Sequence, residues 1–268
     1  MPKKLPILVI IPHGGYAVPQ ELKGLEAVTL FDLFFNADTC ANEIFDFRET
    51  AAAVLDTSVS RLFIDCDRDY RQLPPKHQDG VMREKTFFGN PVFTDGVFPD
   101  ELALSNLVER YHLTFQETIR KLLSTGSIKM VVECHTMMSA APPLDRDHGS
   151  PRSLISVHDR IPGDPGKGNT ASRFMTETFL RQLQKHFSRE EGSISAPFTR
   201  NDPRRRGYLI REFGTGAVPY LRLELSRALF LSDRWFDQGT LSVKEERILS
   251  IRERTWKAIE FTFHRFFG

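Results

Sequence analysis

The sequence has few cysteines, no long apolar run and almost no net charge, and each shortage removes a class of protein. Its three cysteines, Cys40, Cys66 and Cys134, show no CxxC spacing. An odd, scattered set argues against a disulfide framework and fits a reducing compartment. No stretch approaches the ~18–20 apolar residues that a membrane-spanning helix needs. Two lysines follow Met1-Pro2, but the apolar run Ile7 to Ile11 stops at Pro12, too short for the core of a secretory leader. A cytoplasmic location is therefore expected. Lys+Arg number 36 and Asp+Glu 35, a net charge of +1. Nothing draws the whole chain toward nucleic acid or anionic lipid, and neither partner is expected. Tyrosine is also sparse, 5 against 22 phenylalanines, so most aromatic rings are expected in packing.

What is present is globular. At 268 residues with 40% hydrophobic and 26% charged side chains, the chain suits one large α/β domain rather than a disordered segment. Ile7-Leu-Val-Ile-Ile11 is a continuous aliphatic run of the kind found in strands buried on both faces, and it ends at Pro12-His13-Gly14-Gly15. Met130-Val-Val-Glu-Cys-His135 repeats the pattern. Further strands are expected at 53–55, 60–65, 154–157 and 218–225. Helical spacing marks 30–50, with Asp38 inside it, and 171–187 and 243–267. It is clearest over 100–123, where Leu102, Leu107, Tyr111, Phe115, Ile119 and Leu122 form one stripe. The Pro-, Gly- and charge-rich stretch 70–95 reads as a long loop folded over a site. Strands alternating with helices, without repeats or a linker, predict a single three-layer domain around a mixed, largely parallel sheet.

Two histidines at strand ends are the chemical lead. His13 and His135 would meet at the carboxyl edge of one sheet, where open α/β folds bind ligands. Neutral imidazole is a common zinc ligand, and a catalytic zinc takes three protein ligands and keeps one position for water. The third ligand is expected to be a carboxylate. Asp38 is one candidate; Glu133, on the same strand face as His135, is the other, either as ligand or behind it. Arg68, bracketed in sequence by Asp67 and Asp69, is placed to polarise a carbonyl oxygen. In Leu221-Arg-Leu-Glu-Leu-Ser-Arg227 the leucines share one face, and Arg222, Glu224 and Ser226 share the other. A carboxylate there is either an ion-pair partner of Arg222 or Arg227 or a base for water. The basic run Arg204-Arg205-Arg206 lacks interleaved aromatics and suits carboxylate recognition better than nucleic acid.

Taken in order, Pro12-His13-Gly14-Gly15, Asp38-Thr39, Ser60 through Arg68, Tyr111-His112, Glu133-Cys-His-Thr-Met137, Gly207-Tyr208 and Arg222 through Arg227 resemble the N-formylglutamate amidohydrolase family. The resemblance runs from His13 to about Leu231. It implies a zinc carboxypeptidase-like (phosphorylase/hydrolase-like) fold, related to aspartoacylase, as one catalytic domain over 1–268. It further implies one Zn2+ per chain and hydrolysis of N-formyl-L-glutamate, or another N-acyl acidic amino acid, within histidine degradation. On this reading His13, Asp38 and His135 bind metal, Glu224 and Arg68 act in catalysis, and Arg206, Tyr208 and Arg227 bind the substrate. Three positions depart from the related patterns: Tyr16 stands where carboxypeptidases place a glutamate, Asp67 replaces an asparagine, and Thr136 replaces a serine. Two other functions fit the same residues. One is a zinc amidase or carboxypeptidase-like peptidase acting on another N-acyl amino acid or a cell-wall peptide. The other is a non-catalytic ligand-binding domain.

Overall fold

The computed structural model describes residues 3–95, 97–143, 147–161, 168–188, 198–201 and 207–268. Its first strand, β1 (Leu5–Ile11), lies inside a six-stranded sheet with β2 (Ala51–Asp56), β3 (Met130–Met137), β4 (Ile155–His158), β5 (Phe198–Arg200) and β6 (Tyr220–Ser226). The strand order is β2-β1-β3-β6-β4-β5. All pairs are parallel except β4 with β6, which is antiparallel. The sheet is thus mixed and largely parallel, as the sequence predicts. The helices are α1 (Leu30–Asn36), α2 (Ala41–Ile44), α3 (Glu101–Leu107), α4 (Thr114–Ser124), α5 (Arg173–Phe187), α6 (Tyr208–Phe213) and α7 (Glu245–Phe267). A short hairpin of β7 (Phe236–Asp237) and β8 (Ser242–Val243) stands apart from the main sheet.

Alternation along the strands builds two cores. Ile7, Val9 and Ile11 of β1 join Val132, Cys134, Leu221, Leu223 and Leu225 against α2, α5 and α7. Leu8, Ile10, Val131 and Tyr220 face the other way, onto α3, α4 and the segment 59–93. Period-two geometry therefore sends Glu133, His135, Arg222 and Glu224 toward the second face. Register places His135 beside Glu224 and Glu133 beside Arg222. Among the described residues, no helix is long and apolar enough to cross a membrane.

Four expectations are corrected. The helix expected over 30–50 is two short ones, and Asp38 lies in the turn between them. There is no strand at 60–65: the N–H groups of Phe63 and Ile64 both donate to the Ser60 carbonyl, at 3.0 and 3.2 Å, so the segment turns. Leu102 is 71% exposed and does not join the buried stripe. Between α3 and α4 the helix widens into a π-helical stretch, Val108–Leu113. Such widenings often mark functional sites; here His112 donates from Nε2 to the Arg68 carbonyl at 2.7 Å.

Candidate metal centre and active site

The loop after β1 sets the first histidine. A Cβ on Gly14 would collide with the Asn42 side chain, and one on Gly15 with the backbone at Ser58. Only glycines let the chain pass so close to Asn42 of α2 and to the segment that follows β2. His13 is 2% exposed. Its Nε2 lies 2.7 Å from Asp65 Oδ1. Burial pushes the Asp65 carboxyl up, but the charges of Arg61 and His13 outweigh it and hold the group well below the carboxylate range. An ionised Asp65 can only accept, so Nε2 of His13 is the donor in this contact and Nδ1 is the ring nitrogen left to face Asp38. That buried Nδ1 has no hydrogen-bond partner among the described residues.

Asp38 reaches this nitrogen because its turn is tied down from four sides. Its own N–H donates to the His13 carbonyl at 2.9 Å. Cys40, at φ 57°, donates its N–H to Tyr16 Oη at 2.8 Å. Thr136 donates its hydroxyl to the Thr39 carbonyl at 2.9 Å. Arg227 donates to the Phe35 carbonyl at 2.8 Å and to that of Ala37, satisfying carbonyls freed where α1 ends. Two of the three departures from the related patterns, Tyr16 and Thr136, thus shape the turn that carries Asp38.

His135 completes the group. Its ring centroid is 5.1 Å from that of His13. Its Nδ1 is 2.8 Å from Asp38 Oδ2, and its Nε2 is 2.6 Å from Glu133 Oε1. Burial and Arg222 push this imidazole down, while its hydrogen bonds to Asp38 and Glu133 raise it to about 9. Burial pushes Asp38 up, but His13 and His135 hold its carboxyl well below the usual range. Donor atoms of His13, Asp38 and His135 all lie within 4.8 Å of one another. A second acidic group, Asp67, Glu133 and His135, is equally compact. There, however, Arg222 Nη1 already bonds Asp67 at 2.7 Å and Glu133 at 2.8 Å.

The donors His13, Asp38 and His135 suit a divalent metal such as zinc: two imidazoles, one carboxylate 3.6 Å from a buried nitrogen that makes no hydrogen bond among the described residues, and a carboxylate behind each ring. Glu133 sits behind His135, on the far nitrogen, and Asp38 on the near side.

His13, Asp38 and His135 line a cavity of about 590 Å³ that also takes in Arg68, Arg83, Glu224 and Arg227. Glu224 Oε1 accepts from Arg222 Nε at 3.2 Å, and its Oε2 is 3.5 Å from His158 Nε2. Arg68 is not held by its sequence neighbours. Asp67 accepts from Arg222 and from the Leu209 N–H, Asp69 pairs with Arg71, and Arg68 bonds Asp79 at 2.6 Å. The buried Arg227 is clamped on α1, with its Nε without a partner among the described residues. Tyr208 lies off the cavity lining, its ring 6.1 Å from that of His112. Arg206 falls outside the described residues. Sequence reasoning missed Asp65, Arg61, Arg83 and Asp79; the one available signal was an aspartate closing the apolar run Leu62 to Ile64.

The family model for N-formylglutamate amidohydrolase matches residues 5–231. Among solved structures, the chain is similar to an N-formylglutamate amidohydrolase from Ralstonia eutropha JMP134, with 18% identity, a TM-score of 0.72, and coverage of 98% of this chain and 94% of that one. It is also similar to gene product Atu2144 from Agrobacterium tumefaciens, with 16% identity, a TM-score of 0.58, and coverage of 95% and 90%. At these identities the likeness establishes the fold. No curated protein matches by sequence.

Proposed function

The chain belongs to the N-formylglutamate amidohydrolase family, and from that premise we propose that it is a zinc-dependent hydrolase of N-acyl acidic amino acids, with N-formyl-L-glutamate the first substrate to test. The observation that carries this reading is the facing pair of imidazoles, each backed by a buried carboxylate, with Asp38 beside both. His13 Nδ1, His135 Nδ1 and an Asp38 oxygen would hold the metal. Zinc at such a site lowers the pKa of water toward ~7 and polarises an amide carbonyl.

The chain's own groups supply the rest. Glu224 is the general base: its carboxylate takes the proton of the attacking water and returns it to the leaving nitrogen. Arg222 orients it through the 3.2 Å bond to Oε1. Arg68 donates to the amide oxygen as negative charge develops there. A substrate with two carboxylates suits a cavity that contains Arg61, Arg68, Arg83, Arg152 and Arg227. The Nε of Arg227 remains for one of them.

The test is direct. Zinc-loaded protein should release formate and L-glutamate from N-formyl-L-glutamate in equal amounts. Hydrolysis confined to other N-acyl amino acids would overturn the formyl assignment, and no hydrolysis of any N-acyl amino acid would overturn the reading.

A further inference from the structure

Asp79 is an exposed residue with one buried and one half-buried partner. Its side chain is 62% exposed, whereas those of Arg68 and Arg83 are 20% and 6% exposed. One carboxylate oxygen accepts from Arg68 Nη2 at 2.6 Å, and the other meets Arg83 Nη2. A single carboxylate thus bridges two guanidiniums on the wall of the cavity that His13, Asp38 and His135 also line.

The surroundings favour an anion at this point. Arg61, Arg68 and Arg83 all approach buried Asp65, which Arg61 meets at 2.7 Å and the other two at 3.9 Å. Arg61 also meets buried Asp38 at 3.4 Å, whereas Arg68 and Arg83 share Asp65 only at 3.9 Å, and Asp79 supplies their close negative charge from the solvent side. Burial and the neighbouring Arg61 push the Arg83 guanidinium down to about 10, as expected where positive charge is under-compensated. The buried Nε of Arg83 has no partner among the described residues, so the fork can still donate. The fork also lies close to the chemistry: Asp65, which both arginines approach, bonds His13 at 2.7 Å.

We propose that Arg68 and Arg83 form a subsite for a substrate carboxylate, and that Asp79 is a resident carboxylate which the substrate displaces. The inference rests on the acidic-substrate reading above and adds the residues that would select for it. An incoming carboxylate takes over the two N–H donors that Asp79 now holds, and Asp79 turns into water at little cost because it is already mostly exposed. Arg68 has five N–H donors and retains others for the amide oxygen. Because Asp79 competes from within the chain, apparent affinity is reduced by the fraction of time that it occupies the fork.

The experiment uses the full-length, metal-loaded protein and titration calorimetry with glutarate as the probe, alongside uncharged glutaramide. In Asp79→Asn, glutarate should bind about tenfold more tightly, because a neutral amide competes poorly for two guanidiniums, and glutaramide should be unchanged. In Arg83→Lys, which keeps the charge but loses the fork, glutarate should bind about tenfold more weakly. Unchanged or weaker glutarate binding in Asp79→Asn would overturn the proposal, as would an equal gain for glutaramide. If glutarate responds as expected while N-formyl-L-glutamate is not hydrolysed, the subsite stands and the substrate assignment falls.

Discussion

His13 Nε2 and Asp65 Oδ1 meet at 2.7 Å across 52 residues of sequence. The contact makes Nε2 of His13 the donor to Asp65 and turns Nδ1 toward Asp38 and His135. A carboxylate in this position fixes ring orientation and makes the imidazole a stronger ligand. Asp65→Asn should therefore weaken zinc binding about 10–100-fold, measured by competition with a chromophoric chelator. Unaltered affinity would remove Asp65 from the site.

Metal content itself is the second prediction. Purified protein should hold about one zinc per chain, since three protein ligands define one catalytic site. His135→Ala and His13→Ala should each reduce this to a trace by elemental analysis. Full occupancy in both variants would place the metal elsewhere.

Glu224→Gln should lower turnover by about 10²–10⁴-fold, the usual contribution of a positioned acid–base group, with zinc content unchanged. The amide keeps the size and the contact with Arg222 but cannot take a proton. Activity within a fewfold of wild type would show that another group is the base.

Acid should expose the buried pair Glu133–Arg222. Burial pushes Glu133 up, but Arg222, His135 and Tyr220 together hold it at about 2, against an ordinary value of 4.5. A depressed carboxyl stabilises the fold fully above its unfolded value and loses that contribution as pH falls toward the folded one. Urea midpoints of the wild type should hold from pH 7 to 5 and fall between pH 4.5 and 2. In Glu133→Gln the fall should be shallower; an identical slope would show that Glu133 contributes nothing to it.

Arg227 separates support from recognition. Arg227→Met leaves the Phe35 and Ala37 carbonyls without their donor and should destabilise the protein by about 1–3 kcal/mol, visible as a lower Tm. If the residue also binds substrate, KM should rise beyond what the loosened Asp38 turn explains, and Arg227→Lys should restore Tm better than KM.

The legible part of the site was the part written in strands. His13 and His135 end or nearly end buried aliphatic runs, and the two-residue period gave the faces of Glu133 and Glu224 correctly. The turns were not legible. Helix α1 stops at Asn36, where Asn36 Nδ2 donates back to the Asp32 carbonyl and Thr39 to that of Phe34. Arg227, 190 residues away from Ala37, also fixes that end. Nothing local announces such a stop. Likewise Leu62-Phe63-Ile64 is too short a run to tell strand from turn by pattern, so pattern alone does not bring Asp65 to the site. Sequence adjacency pairs Arg68 with Asp67 and Asp69, whereas the fold gives it Asp79.

The turn that carries Asp38 has a consequence for synthesis. A polypeptide that has left the ribosome only as far as α2 already contains His13 and Asp38, yet their geometry awaits Thr136 on β3 and Arg227 beyond β6. Contacts this distant in sequence form late. A metal held by His13, Asp38 and His135 would therefore enter after tertiary assembly, into a nearly finished protein rather than guiding its birth.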